Sequence, residues 1–141
     1  MPASARVPRT LSRHRDAHRA IVALAESYLL THRHAPLPVS QLCRRVGLSE
    51  RALRNAFYDV HGVGPKRWMR DACLHDAHRA LERASAGTAT VTGIATAHGF
   101  YELGRFAATY KEAFGQSPSA TLRAALRRTT RAPDCAMERT R

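Results

Sequence analysis

Two segments of the 141-residue chain echo one another residue by residue. Val39, Leu42 and Gly47 match Val91, Ile94 and Gly99 at a constant offset of 52 residues, and Leu53, Phe57, Gly62 and Pro65 match Phe106, Tyr110, Gly115 and Pro118 at an offset of 53. A duplication of this kind restricts the chain to an architecture in which one supersecondary unit occurs twice. The single inserted residue falls between the two blocks. A turn absorbs such an insertion, whereas inside a helix it would rotate the apolar face by about 100°. Each copy therefore reads as a short helix, a glycine-containing turn and a second helix with one polar face, the helix-turn-helix arrangement.

The rest of the chain fits around these units. From Ala17, the residues Ala17, Ala20, Ile21, Leu24, Ala25, Tyr28 and Leu29 recur at the three-and-four spacing of a first helix. The prolines between His32 and Pro38 break it, and a short helix follows through Leu42 to Val46, stopped by Gly47. Ser49 is placed to cap a third helix that buries Leu53, Ala56, Phe57 and Val60 and ends near Gly62. Pro65 opens a long fourth helix with an apolar stripe of Trp68, Met69, Ala72, Ala77, Leu81 and Ala84, and Gly87 is expected to end it. Thr90 caps a fifth helix that Gly99 stops, a sixth carries Phe106, Tyr110 and Phe114 up to Gly115, and Pro118 opens a seventh through Leu122 and Leu126. No strand pattern occurs. The expected fold is all-α, with seven helices forming two helix-turn-helix units joined by a long linker helix. The expected divisions are a flexible tail over 1–16, the first unit with the linker helix over 17–85, the second unit over 86–128, and a flexible basic tail over 129–141. A linker from Pro65 to Ser85 would be about 30 Å long against about 34 Å for one turn of B-DNA, a suitable ruler for successive major grooves.

Charge names the class of partner. Lys and Arg total 23 against 11 acids, a formal net charge of +12, and 21 of the bases are Arg. Such a surface attracts polyanions, and planar guanidinium groups suit phosphates and guanine edges, although an excess of Arg and Ala equally fits a GC-rich genome. No run approaches the ~18 apolar residues of a membrane span, and the first 15 residues lack a secretory signal, so a cytoplasmic protein without a membrane partner is expected. Cys43, Cys73 and Cys135 are odd in number and form no C-x-x-C pair, which fits a reducing compartment.

Two histidine groupings invite a metal reading. His14 and His18 are one helical turn apart, as are His75 and His78 on a second face, but Cys73 lies about 200° around the helix from His75. Asp76 has no nucleophile, phosphate loop or second carboxylate in pattern with it. No enzyme, metal site or cofactor is expected.

The stretch from Leu37 to Arg123 resembles the DNA-binding domain of the AraC/XylS transcription regulators. The second unit carries the more specific signature, in Ile94-Ala95, His98-Gly99-Phe100, Arg105-Phe106, Tyr110-Lys111, Phe114-Gly115 and Ser117-Pro118-Ser119. The resemblance implies a seven-helix fold, sequence-specific binding of double-stranded DNA, and regulation of transcription, with activation through RNA polymerase as the family's usual mode. Cys73 stands where members often have a basic residue, and Gly104 where many have a polar one. The run Leu103-Gly104-Arg105-Phe106 is similar to a recurrent variant found in longer proteins with an N-terminal sensing and dimerising domain. Binding as a monomer is expected, unless the chain is part of a longer one that carries such a sensing domain. The competing readings are a non-specific nucleoid-type DNA-binding protein and a DNA-targeting module detached from a longer sensor or enzyme.

Family position and helix geometry together select the contact residues. On the third helix, Arg51 and Arg54 suit guanine O6 and N7, and Asn55 suits adenine N6 and N7. On the sixth, the expected base contacts are Leu103, Gly104, Arg105 and Ala108: Arg105 as the strong reader, Leu103 and Ala108 against thymine methyl groups, and Gly104 for close approach. Arg44, Ser49, Lys66, Lys111, Ser117 and Ser119 are the expected backbone contacts. Trp68, Phe57, Phe100, Phe106, Tyr110 and Phe114 are core residues first, not stacking platforms for bases.

Overall fold

A computed structural model describes residues 9–32, 38–85, 87 and 89–131. These residues form seven α-helices and no strand: α1 (Arg9–Thr31), α2 (Val39–Val46), α3 (Glu50–His61), α4 (Pro65–Glu82), α5 (Val91–Ala97), α6 (Leu103–Phe114) and α7 (Pro118–Thr130). The outermost residues of both expected tails, the break at Pro36, the first residue of the resemblance at Leu37, and Cys135 lie outside the described residues. The chain divides into two compact units, Met1–Asp71 and Ala72–Arg141, with α4 beginning in the first and ending in the second.

In the first unit, the three-and-four spacing of α1 buries Val22, Ala25 and Leu29 against Leu42 and Cys43 of α2 and Leu53, Ala56 and Phe57 of α3, with Trp68 and Met69 of α4 packed on the same core. Two polar links add to the α1–α3 contact. The His18 imidazole lies 2.6 Å from the Asp59 carboxylate, and Glu26 pairs with His61. His14, the other half of the first histidine pair, lies against the His18 ring at 4.4 Å. Burial pushes the Cys43 thiol above its ordinary range, and the negative charge of Glu50 adds to the shift, so the thiol stays protonated within the core.

The second unit is built around Tyr110, which has no exposed surface. Leu74, Ala77 and Leu81 of α4, Ala95 of α5, Phe106 of α6 and Leu122 of α7 complete its core. The Tyr110 hydroxyl donates to Thr121 Oγ1 at 2.9 Å and lies 2.5 Å from His78 Nδ1. His78 stacks flat on Phe114 at 4.0 Å, and His75 meets the same ring edge-on at 5.2 Å. The second histidine grouping is thus part of an aromatic cluster. Among the described residues, no three His, Cys, Asp or Glu side chains are arranged to share a metal ion.

Three helix ends differ from the sequence expectation. α1 begins at Arg9 rather than near Ala17, and the side chains of residues 13–17 are exposed. α4 ends at Glu82 rather than near Gly87, giving 18 residues or about 27 Å. Its last buried leucine is Leu81, the following turn tightens with Ala84 N–H donating to the Leu81 carbonyl, and Arg128 donates to the Glu82 carbonyl at 3.3 Å. α7 runs to Thr130, where the hydroxyls of Thr129 and Thr130 donate back to the Ala125 and Leu126 carbonyls. Part of the Arg-rich segment is therefore helical and caps α4.

Tyr110 makes stability depend on alkaline pH. Burial raises its phenol above the ordinary value of 10.0, and the charge of Glu82 adds to the effect. The unfolded chain releases this proton first, so stability is whole below pH 10 and falls as pH climbs from there towards the raised value. Urea denaturation of Tyr110→Phe is expected to show a loss of about 1–2 kcal/mol at neutral pH, because His78 and Thr121 lose their shared partner. The variant is also expected to show a shallower decline than the wild type above pH 10.

Candidate nucleic-acid interface

Rotation of α3 about its axis is set by Leu53, Ala56 and Phe57, all with no exposed surface. The opposite face carries Arg51, Arg54 and Asn55, all exposed and related by three- and four-residue steps. Ser49 fixes the start of this helix: its backbone is extended and its Oγ accepts from Ala52 N–H at 3.2 Å. Glu50 complements the positive helix terminus. Gly62 ends the helix in the left-handed region at φ 71°, and its counterpart Gly115 ends α6 at φ 74°, so both second helices are cut to 12 residues by the same device.

Tyr58 shares the exposed face of α3 and is 54% accessible. With Arg54 it lines an open groove of about 610 Å³, walled by Pro38, Val39 and Ser40 at the start of α2 and by the segment from Gly62 to Arg67 that leads into α4. Lys66 faces this groove, which therefore joins a backbone-contact candidate to the α3 face. Arg44 is exposed on α2, while its neighbour Arg45 sits over the Tyr28 ring at 5.6 Å. The expected contact residues do not include Tyr58. Its four-residue step from Arg54 is the signal that places it on the same exposed face.

The same scaffold recurs in α6 with a different surface. Phe106 and Tyr110 are buried, and the 53-residue offset pairs Gly104, Ala107, Ala108 and Lys111 with Arg51, Arg54, Asn55 and Tyr58. All four α6 residues are exposed. In both helices the four positions span about 100° of the surface. The contacts expected on α6 include Arg105 and not Ala107. Arg105 pairs in register with Ala52 and lies to one side of the four, and its Nε is held 3.1 Å from Glu102 Oε2 with both side chains largely exposed. An exposed pair of this kind is weak and exchangeable for a phosphate. Leu103 stands at the first helical position, partly exposed, beside the buried face. Lys111 extends the exposed face toward the C-terminus of α6.

Ser117 and Ser119 belong to the start of α7. Ser117 accepts from Ala120 N–H at 3.2 Å, Pro118 is buried at the first helical position, and Ser119 is exposed. Among the described residues, no helix is long and apolar enough to cross a membrane.

The sequence matches the family described as "Helix-turn-helix domain" across residues 42–124, more than half of the chain. The chain belongs to the AraC/XylS family of transcription regulators. A "Probable thc operon regulatory protein" of Rhodococcus erythropolis is 43% identical over 103 residues, which is 73% of this chain and 31% of that protein. A "XylDLEGF operon transcriptional activator" of Pseudomonas putida is 38% identical over 87 residues, 62% of this chain and 27% of that protein. The chain thus spans less than a third of the length of these two relatives. Among solved structures, a probable AraC family transcriptional regulator from Rhodopseudomonas palustris superposes with a TM-score of 0.71 at 33% identity, covering 76% of this chain and 98% of that one. The family consists of DNA-binding regulators and not enzymes, so the exposed faces of α3 and α6 are those of a DNA-binding domain.

Ser49 separates capping from contact with DNA. Ser49→Ala is expected to lower stability by about 1 kcal/mol in chemical denaturation, since Ala52 N–H loses its acceptor. Ser49→Asp keeps the cap and adds a negative charge beside the α3 face. It is expected to melt like the wild type and to bind duplex DNA more weakly in an anisotropy titration.

Proposed function

We propose that this chain is a sequence-specific reader of double-stranded DNA that binds as a monomer and activates transcription through contact with RNA polymerase in the cytoplasm. The observation that carries the reading is the exposed triplet Arg51, Arg54 and Asn55 on a helix whose opposite face is wholly buried. Its side-chain types suit guanine and adenine edges. Arg44, Ser49 and Lys66 hold phosphates around the first unit, and Lys111, Ser117 and Ser119 do so around the second. Activation is supported by the naming of the Pseudomonas putida relatives as transcriptional activators. Two reading helices within one chain supply what a dimer of single units would otherwise supply.

The two helices divide the work. α3 reads through hydrogen bonds, while α6, with Arg105 as its strong reader beside Leu103, Gly104 and Ala108, contributes more affinity than information. Selection from a random duplex pool is expected to return an asymmetric motif, with more information under α3 than under α6. Arg51→Ala or Arg54→Ala relaxes the preference at defined base pairs, each good bidentate contact discriminating by about 1–3 kcal/mol. Arg105→Ala weakens binding with a narrower change in preference.

The net charge of +12 also suits a nucleoid-type protein that coats DNA without reading it. Both readings share a steep salt dependence, with a log–log slope of about −5 if six phosphates are neutralised. Equal affinity for selected and scrambled duplexes would replace the proposed function with the coating role, and a slope near zero would remove both.

A further inference from the structure

We propose that the Tyr58 hydroxyl donates a hydrogen bond to a backbone phosphate beside the base pairs met by α3, with the sugar-phosphate chain lying in the groove between the starts of α2 and α4. This inference rests on the DNA-reading role of α3 above and adds to it an uncharged contact.

Tyr58 is held on one side and open on the other. A Cβ built on Gly64 would stand 3.8 Å from Tyr58 Cε2 and 3.9 Å from its hydroxyl oxygen, so the ring lies along the turn from α3 into α4. A ring seated in this way has less rotamer freedom to lose on binding than a free side chain. The residue is nevertheless 54% accessible. Among the described residues, its hydroxyl has no hydrogen-bond partner, whereas that of Tyr110 donates to Thr121. A lone exposed aromatic residue is ordinary on a protein surface, and water can satisfy its hydroxyl. Its position is what distinguishes this one.

The repeat gives the first indication. At the 53-residue offset Tyr58 stands where the second unit has the exposed Lys111. An ammonium and a phenol hydroxyl are both donors, and a phosphate oxygen accepts from either. The second indication is distance. Tyr58 lies seven residues beyond Arg51, about 10 Å along the helix axis, while the major groove is about 12 Å wide. With Arg51 and Arg54 against base edges, the Tyr58 end of α3 reaches the sugar-phosphate wall. The third is the open groove of about 610 Å³ that Tyr58 lines together with Lys66. Among the described residues Lys66 is in no ion pair, so its charge is available to draw a phosphate that the hydroxyl then fixes. Glu50 also lines this groove, but eight residues from Tyr58, about 12 Å along α3.

The test uses the full chain and a duplex that it enriches from a random pool. Tyr58→Phe keeps the ring on Gly64 and removes only the hydroxyl oxygen. It is expected to melt like the wild type and to bind about tenfold more weakly. Its log–log salt slope is expected to match the wild type, because an uncharged donor releases no counterion. Tyr58→Lys, which installs the residue of the second unit, is expected to restore the affinity and to steepen the slope by about 0.9. Methylphosphonate placed at each phosphate in turn replaces one charged oxygen by a methyl group. At one phosphate flanking the base pairs that relax in Arg51→Ala, its cost and that of Tyr58→Phe are expected to be less than additive, which a structural role for the hydroxyl would not produce. Wild-type binding by Tyr58→Phe, or additive costs at every phosphate, would overturn the contact and leave reading by α3 standing. Failure to enrich any duplex sequence would overturn both.

Discussion

The fully buried rings at positions 57 and 110 decide what this domain shows to DNA. They are equivalent in the repeat, and each sits at the centre of its unit's core. A helix whose aromatic side chain and apolar neighbours are locked in a core has a fixed rotation, so the positions on the far side of the buried set fall on the outer surface. In α3 those include Arg54 and Tyr58, and in α6 they are Ala107 and Lys111. The exposed surface follows from the packing surface.

The two cores hold their rings by different chemistry. Phe57 is apolar, meets Trp68 edge-on at 5.9 Å, and has α1 packed over it. Tyr110 brings a hydroxyl into an equivalent place, and burial of that group would be costly without partners. Thr121 and His78 supply them, and the second unit accordingly depends on a polar network among α4, α6 and α7 where the first depends on an additional helix. The His18–Asp59 and Glu26–His61 links, on the α1–α3 surface, are the first unit's polar counterpart.

Most of this organisation is local, which is why the sequence reveals it. The three-and-four spacing, Ser49 and Thr90 as caps, Gly62 and Gly115 as stops, and the insertion between the repeat blocks all act within a few residues of where they are read. The end of α4 is not local: Glu82 is met by Arg128, 46 residues further on, from a segment whose composition reads as a tail. The surface of α6 was obscured for another reason. Arg105 attracts attention by its charge, whereas the repeat register favours Ala107, whose side chain advertises nothing. The groove beside Arg54 and Tyr58 depends on how the starts of α2 and α4 meet α3, and no spacing in the sequence encodes that.

A duplicated scaffold with two dissimilar faces works only where the face is energetically separate from the core. That condition holds for α6: Gly104 has open space where a Cβ would stand, Ala107 and Ala108 are exposed, and the packing residues Phe106 and Tyr110 lie on the other side. Substitutions at such positions ordinarily shift stability by no more than about 0.5 kcal/mol, apart from the propensity gain on replacing glycine. The same holds for Arg51, Arg54 and Asn55, which are exposed opposite a fully buried face. Each unit's exposed face is therefore free to vary without altering how the unit folds. The contrast between a polar α3 face and a smooth α6 face is accordingly a difference in surface chemistry, and the fold imposes neither.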